Sequence, residues 1–325
     1  MKSLPLGLRY ISLLDRTGGL LDFSVDRLDS WTPAMGALWL HFDLTDQEAI
    51  AWLGAREDID PVAVEALLTT ESRPRLTRIG NGALMAFRGV NLNKGAEPDD
   101  MIGIRMWVDE SRVISTYRRD LRSVDDIADA LSKGEGPVGP GSFVASLAEK
   151  LVLRMNETVD NLEELIADLE EQVLEGTSRE TRFALANLRR QIIALRRYLA
   201  PQREALASLV AAKIPWISDS ERLQLRETSD RLIRNLEDLD AVRERAAVTQ
   251  EELQSRLAEQ QNIRMYVLSI VAAIFLPLGF LTGLLGINVG GIPGSENPTA
   301  FGIFVAILIV LVVLQILYFR TRRWF

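Results

Sequence analysis

Polar and apolar residues follow one another in three distinct patterns along this chain. In ALWLHFDL, residues 37–44, they alternate, with Leu38, Leu40, Phe42 and Leu44 on one side and Trp39, His41 and Asp43 on the other. That is the period of a half-buried strand. Thr45 and Glu48 follow as a capping box for a helix, and Asp60 with Pro61 marks a second helix start as N-cap and first-turn proline. ALMAFRGV, MIGIRMWV and RVISTYR predict further strands, the last two joined as a hairpin through residues 109–111. These elements make an α/β domain over residues 1–140, ended by the glycine- and proline-rich GEGPVGPG at 134–141.

The second pattern is helical. Leu151, Met155, Leu162, Ile166, Leu169 and Val173 recur at helical spacing, and Gly176 supplies a stop. The next helix starts near Ser178, and Pro201 is expected to kink or end it. Ser218 and Glu221 form another capping box, after which no proline or glycine appears before Pro277. Leu225, Thr228, Leu232, Leu236, Leu239, Arg243, Ala246, Gln250, Leu253 and Leu257 keep a spacing of three and four. Together they predict one helix of about 65 residues, roughly 100 Å long. Its stripe is either a seam between copies or packing against the two preceding helices. Thr228, Arg243 and Gln250 point to a partly wet surrounding. Residues 141–264 are thus a helical stalk.

In the third pattern charge disappears. Residues 265–285 and 299–319 hold no Asp, Glu, Lys, Arg or His. Each run has about 21 residues, or roughly 31 Å of helix, enough to cross a bilayer core. Residues 265–325 therefore form a two-helix transmembrane domain with an outer loop at 286–298. Arg264 precedes the first run and Arg320, Arg322 and Arg323 follow the second, whereas the loop has no Lys or Arg. The positive-inside rule then places both termini in the cytoplasm. The amino-terminal apolar stretches are broken by Pro5, Arg9 and Asp15, unlike a secretory signal. The predicted fold class is an α+β/α membrane protein: an α/β cytosolic domain, a long helical stalk and two C-terminal transmembrane helices.

Composition narrows the chemistry. With no cysteine and the single histidine His41, disulfides, thiol redox chemistry and a Cys/His zinc cage within one chain are excluded. The net charge of −8 argues against nucleic acid as a partner. No phosphate loop, nucleophile elbow or His-x-x-x-His pair occurs, so the chain is expected not to be an enzyme and to hold no cofactor.

Two membrane helices cannot enclose an aqueous path, so a pore needs several copies around an axis. Asn262, Met265, Ser269, Ala272, Leu276, Gly279, Gly283 and Gly286 lie near one face of the first span, and that face is small or polar. It either lines a pore or packs closely on another helix through small residues. Pro277 cannot donate to the carbonyl of Ala273. The freed oxygen either joins an ion path or simply accompanies a kink. Asn288, after Gly286 and Ile287, offers a neutral amide oxygen at the outer end, for weak contact with a hydrated cation or as a helix cap. Glu296, the one ionisable residue of the loop, either gathers cations or is a solvated charge or helix-start signal. Asp160, Glu163, Glu164, Asp168, Glu170, Glu171 and Glu175 make one helix acidic, which suits divalent ions but is more commonly a solvated face.

In order, these features resemble the CorA superfamily of divalent cation transporters. FLPLGFLTGLLGIN, at 275–288, resembles the family's proline-containing first span ending in Gly-Met-Asn; YFRTRRWF from Tyr318 resembles its basic, tryptophan-containing end, and ESRPRL from Glu71 a short cytosolic segment. Gly286, Ile287 and Asn288 stand where the magnesium transporters have Gly-Met-Asn, and this pattern is similar to the ZntB-like branch, associated with zinc. The resemblance implies a homopentamer in the bacterial inner membrane, first spans lining the pore, and Zn2+ uptake coupled to a proton gradient. A Mg2+, Co2+ or Ni2+ channel is the nearest alternative. A membrane-anchored coiled-coil interaction protein that transports nothing is the rival from another class.

Overall fold

The computed structural model describes residues 5–70, 73–176, 178–286, 292, 294 and 297–321. Ile287, Asn288, Glu296, Glu71, Arg322 and Arg323 lie outside the described residues. The chain divides into two compact units, Met1–Gln250 and Glu251–Phe325.

Seven strands build the sheet of the first unit: β1 (Leu8–Leu14), β2 (Leu20–Leu21), β3 (Ala37–Asp43), β4 (Arg75–Ile79), β5 (Gly82–Gly89), β6 (Ile102–Val108) and β7 (Arg112–Tyr117). Their order is β2-β1-β3-β7-β6-β5-β4. Among the described residues the central β3–β7 pair is parallel and the other pairings are antiparallel. The β6–β7 hairpin turns where expected, with the Asp109 carboxylate accepting from the backbone N–H groups of Ser111 and Arg112 at 2.9 and 3.0 Å.

Strand β3 is buried on both faces, which its alternation does not announce. Leu38, Leu40 and Phe42 join a core with α1 (Gln47–Gly54) and α2 (Pro61–Leu68). Trp39 and His41, expected on a solvated side, are only 1% and 2% exposed. Trp39 packs on Phe143 of α4 (Pro140–Glu175), with ring centroids 5.0 Å apart. The helices that bury this second face come roughly a hundred residues later in the sequence, beyond the reach of a local pattern.

Local chemistry sets the helix starts. Asp60 caps α2, accepting from Val62 N–H at 2.9 Å ahead of Pro61. At α1 the cap is Asp46, accepting from Glu48 N–H, rather than the Thr45–Glu48 box; the Thr45 hydroxyl instead bonds to Asp43. The segment 134–141 also ends earlier as a linker than its composition indicates. Pro140 is the first residue of α4, where a missing N–H costs nothing.

Three long helices follow α3 (Arg122–Ser132): α4, α5 (Arg179–Ala211) and α6 (Asp219–Leu285). Leu151, Met155, Leu162, Ile166, Leu169 and Val173 are all buried, and Gly176 is the C-cap. Ser178 caps α5 as expected, but Pro201 does not end it; ten more residues follow in the same helix. Ser218 and Glu221 close the reciprocal box at the start of α6, the Glu221 carboxylate accepting from Ser218 N–H at 2.7 Å.

Within the first unit the stripe of α6 packs internally. Leu225, Leu232 and Leu239 are fully buried, and Asn235 Nδ2 donates to the Val152 carbonyl at 3.5 Å. After Leu239 the buried positions are Val242, Ala246 and Thr249, while Arg243 is on the outside. Leu225, Thr228, Leu232, Asn235, Leu239, Val242, Ala246 and Thr249 keep alternating steps of three and four, so the buried seam is a continuous heptad and Arg243 lies one residue off it. Thr228 is also buried, its hydroxyl satisfied by the Gln224 carbonyl at 2.9 Å.

Candidate functional site

The two charge-free runs become the end of α6 and the whole of α7 (Ala300–Thr321), two helices long and apolar enough to cross a membrane. Asn297 lies in the turn just before α7, its side-chain oxygen accepting from Thr299 N–H at 3.0 Å and from the Thr299 hydroxyl at 2.8 Å. A polar cap immediately before the apolar run satisfies a backbone donor that lipid cannot.

The end of α6 has two different faces. Ile270 is buried and Ile274, Leu278 and Leu281 are half-buried. Leu278 shares an apolar groove of about 280 Å³ with Leu308, Ile309, Val312 and Val313 of α7. On the other side Asn262, Met265, Ser269, Ala272, Leu276, Gly279 and Gly283 are all exposed, Met265 at 67% and Leu276 at 71%. The exposed Ser269 hydroxyl donates to the Met265 carbonyl at 2.8 Å, which uses its proton and not its acceptor lone pairs.

The glycines on this side differ in what they do. A Cβ added at Gly286 meets the Thr282 carbonyl oxygen at 2.8 Å, so this chain's own backbone demands glycine there. At Gly279 and Gly283 an added Cβ meets nothing within 4 Å. Among the described residues, nothing in the single chain calls for their smallness. Ile287, Asn288 and Glu296 were singled out with this face but lie outside the described residues.

The other candidates are structural. His41 stacks on Tyr117 at 4.5 Å and 9°, and its Nδ1 lies 2.7 Å from the Ser115 hydroxyl. Burial, reinforced by the nearby Arg9 charge, pushes its pKa down to about 3. It is therefore neutral and enclosed in the sheet. On the acidic helix α4, Glu170 accepts two hydrogen bonds from Arg245 at 2.6 and 3.0 Å, and Asp160 one from Asn156 at 2.9 Å. Among the described residues no group of three or more His, Cys, Asp or Glu is placed to hold a metal ion.

Sequence reasoning passed over Gln315 on α7. Its Nε2 donates to the Ala273 carbonyl at 3.4 Å, the oxygen freed by Pro277. A lone amide in an otherwise apolar membrane helix is the signal that marks it.

A family model described as CorA-like Mg2+ transporter protein matches residues 35–323, and the chain belongs to this family. It is 38% identical over 315 residues to the zinc transport protein ZntB of Yersinia pseudotuberculosis, covering 97% of this chain and 95% of the relative. It is 40% identical over 291 residues to the divalent cation transporter CmaX of Pseudomonas aeruginosa, covering 89% and 87%. A solved structure of full-length CmaX superposes with a TM-score of 0.85 at 37% identity, covering 98% of each chain. The order of an α/β domain, a long helix and two apolar helices is therefore the fold of this family.

Proposed function

We propose that the chain carries divalent cations, chiefly Zn2+, across the bacterial inner membrane as a homopentamer, with both termini in the cytoplasm. The path runs along the face of α6 that carries Asn262, Met265, Ser269, Ala272, Leu276, Gly279 and Gly283. The observation that carries this reading is the open space at Gly279 and Gly283. A helix that keeps two glycines where its own fold has room for larger residues keeps them for a path or for another copy. Small residues let several copies of α6 surround a space wide enough for a hydrated ion.

Gly286, Ile287 and Asn288 form the outer mouth in this reading. A ring of Asn288 amide oxygens contacts the hydration shell of a cation without binding it so strongly that it stays. Glu296 raises the local cation concentration outside. The relatives that bear the name zinc transport protein support Zn2+ as cargo; uptake coupled to the proton gradient is part of the same proposal. The absence of cysteine and the enclosure of the single histidine mean that zinc passes hydrated or through oxygen contacts, with modest selectivity.

A second reading is a Mg2+, Co2+ or Ni2+ channel, favoured by the magnesium description of the family and by the oxygen-only donors. Liposomes containing the purified protein separate the two. Saturable Zn2+ uptake that excess Mg2+ suppresses only weakly supports the first. Mg2+ uptake that outcompetes Zn2+ supports the second, and no uptake of either ion supports a membrane anchor. Asn288→Ala is expected to alter flux or ion preference; an unchanged profile removes Asn288 from the mouth.

A further inference from the structure

The carbonyl that Pro277 frees is taken up by the other apolar helix. Proline has no N–H, so the donor that residue 277 would give to the Ala273 oxygen is missing from α6. Gln315 Nε2 of α7 supplies one at 3.4 Å. Gln315 is the only amide side chain between residues 299 and 319. Its Oε1 is buried without a donor among the described residues. A polar group held at this depth against its desolvation cost needs a use, and the structure shows one on its nitrogen.

The place of the bond matters. Ala273 is half-buried and stands at the border between the face toward α7 and the small-residue face. At 100° per residue it is about 40° around the helix from Ser269. The peptide carbonyl that Gln315 holds thus belongs to the turn that sets where Ser269, Ala272 and Leu276 point.

We infer that Gln315 is a positioning residue: its amide replaces the helix bond lost at Pro277 and holds that turn of α6 in the register that presents the small-residue face. This rests on the reading of α6 as the lining of the ion path. Proline leaves the turn free to shift, and the amide on α7 fixes it, so the second span takes part in transport without lining the path.

Full-length protein with Gln315→Met, with Pro277→Ala, and with both substitutions tests the inference through two readouts. These are the thermal unfolding midpoint in detergent and Zn2+ uptake into liposomes. Pro277→Ala restores an N–H for the Ala273 oxygen. Gln315→Met is expected to lower the midpoint and to cut uptake roughly threefold, the scale of an interhelical hydrogen bond in a membrane. In the Pro277→Ala background the same substitution is expected to change neither. Gln315→Asn, which keeps a donor one methylene short, falls between parent and Gln315→Met. Equal losses from Gln315→Met in both backgrounds, no loss in either, or identical behaviour of the Asn and Met variants would each overturn the inference. Non-additive midpoints with no Zn2+ uptake by the parent protein would also overturn the positioning role, together with the transport reading, and would leave only the hydrogen bond standing.

Discussion

Gly286 donates its backbone N–H to the Thr282 carbonyl at 2.9 Å, and the same oxygen lies 2.8 Å from where a Cβ at position 286 would stand. The last turn of α6 therefore closes only because the residue has no side chain. Three residues earlier, on the same helix, Gly283 has no such constraint among the described residues.

This contrast yields the first prediction. Gly286→Ala should destabilise the second unit by about 1–2 kcal/mol, the range for a substitution that forces local backbone movement. Gly283→Ala should leave the unfolding midpoint unchanged or slightly raised, since alanine favours helix by about 1 kcal/mol. If Gly283 faces the ion path or a neighbouring copy, the same variant nevertheless reduces Zn2+ uptake. Thermal unfolding and liposome flux on both variants check this; reduced stability in Gly283→Ala would show that the chain itself needs the glycine.

A second prediction concerns pH. The folded-state pKa of His41 is lowered to about 3, against about 6.5 in an unfolded chain, because burial and the Arg9 charge disfavour its proton. Below pH 6.5 the unfolded state binds a proton that the folded state refuses. Stability therefore falls as pH drops from about 6.5 toward 3, at on the order of 1 kcal/mol per pH unit. Asp58 acts lower. Burial raises its pKa, but hydrogen bonds from Arg56 and Arg112 outweigh this and hold it at about 2, so its contribution is lost only below about pH 4. Unfolding midpoints of the full-length protein at pH 7 and pH 5 should differ, and His41→Gln should remove most of the difference. A pH dependence unchanged in His41→Gln would contradict the assignment.

The third prediction ranks two kinds of contact that hold α6 against the preceding helices. Leu239 is fully buried, and truncating it to alanine should cost about 2–4 kcal/mol. The Arg245–Glu170 pair has good geometry but is roughly 40% exposed, so Arg245→Ala should cost less than about 1 kcal/mol. Thermal unfolding ranks the pair. A larger loss from Arg245→Ala would mean that charge rather than apolar packing holds the bundle.

How far the sequence could be read follows from where each signal is stored. Asp60, Ser178 and the Ser218–Glu221 box were legible because caps act within four residues. The two apolar runs were legible because lipid imposes composition on every position. The second buried face of β3 was not, since Trp39 and His41 meet α4 and Tyr117, far along the chain. Arg243 was placed in the α6 stripe by counting on from Leu236 and Leu239; the buried seam runs through Asn235, Leu239 and Val242, and a buried asparagine is not announced by apolar spacing. The small-residue face from Met265 to Gly283 was assembled from spacing alone. That a Cβ at Gly279 or Gly283 meets nothing among the described residues, whereas one at Gly286 meets the Thr282 carbonyl, needed three dimensions. Gln315 was missed because its partner is a backbone oxygen, which carries no residue code.

The account turns on whether the exposed small-residue face of α6 meets water in the assembled protein. Because the chain has no cysteine, single cysteines at Ser269, Ala272 and Gly283, with Ile274 and Leu278 as controls, report accessibility without background. In membranes, a water-soluble thiol reagent should modify the first three and spare the controls, and Zn2+ should slow the reaction at Ala272→Cys. Uniform protection of all five positions would contradict an ion path along this face.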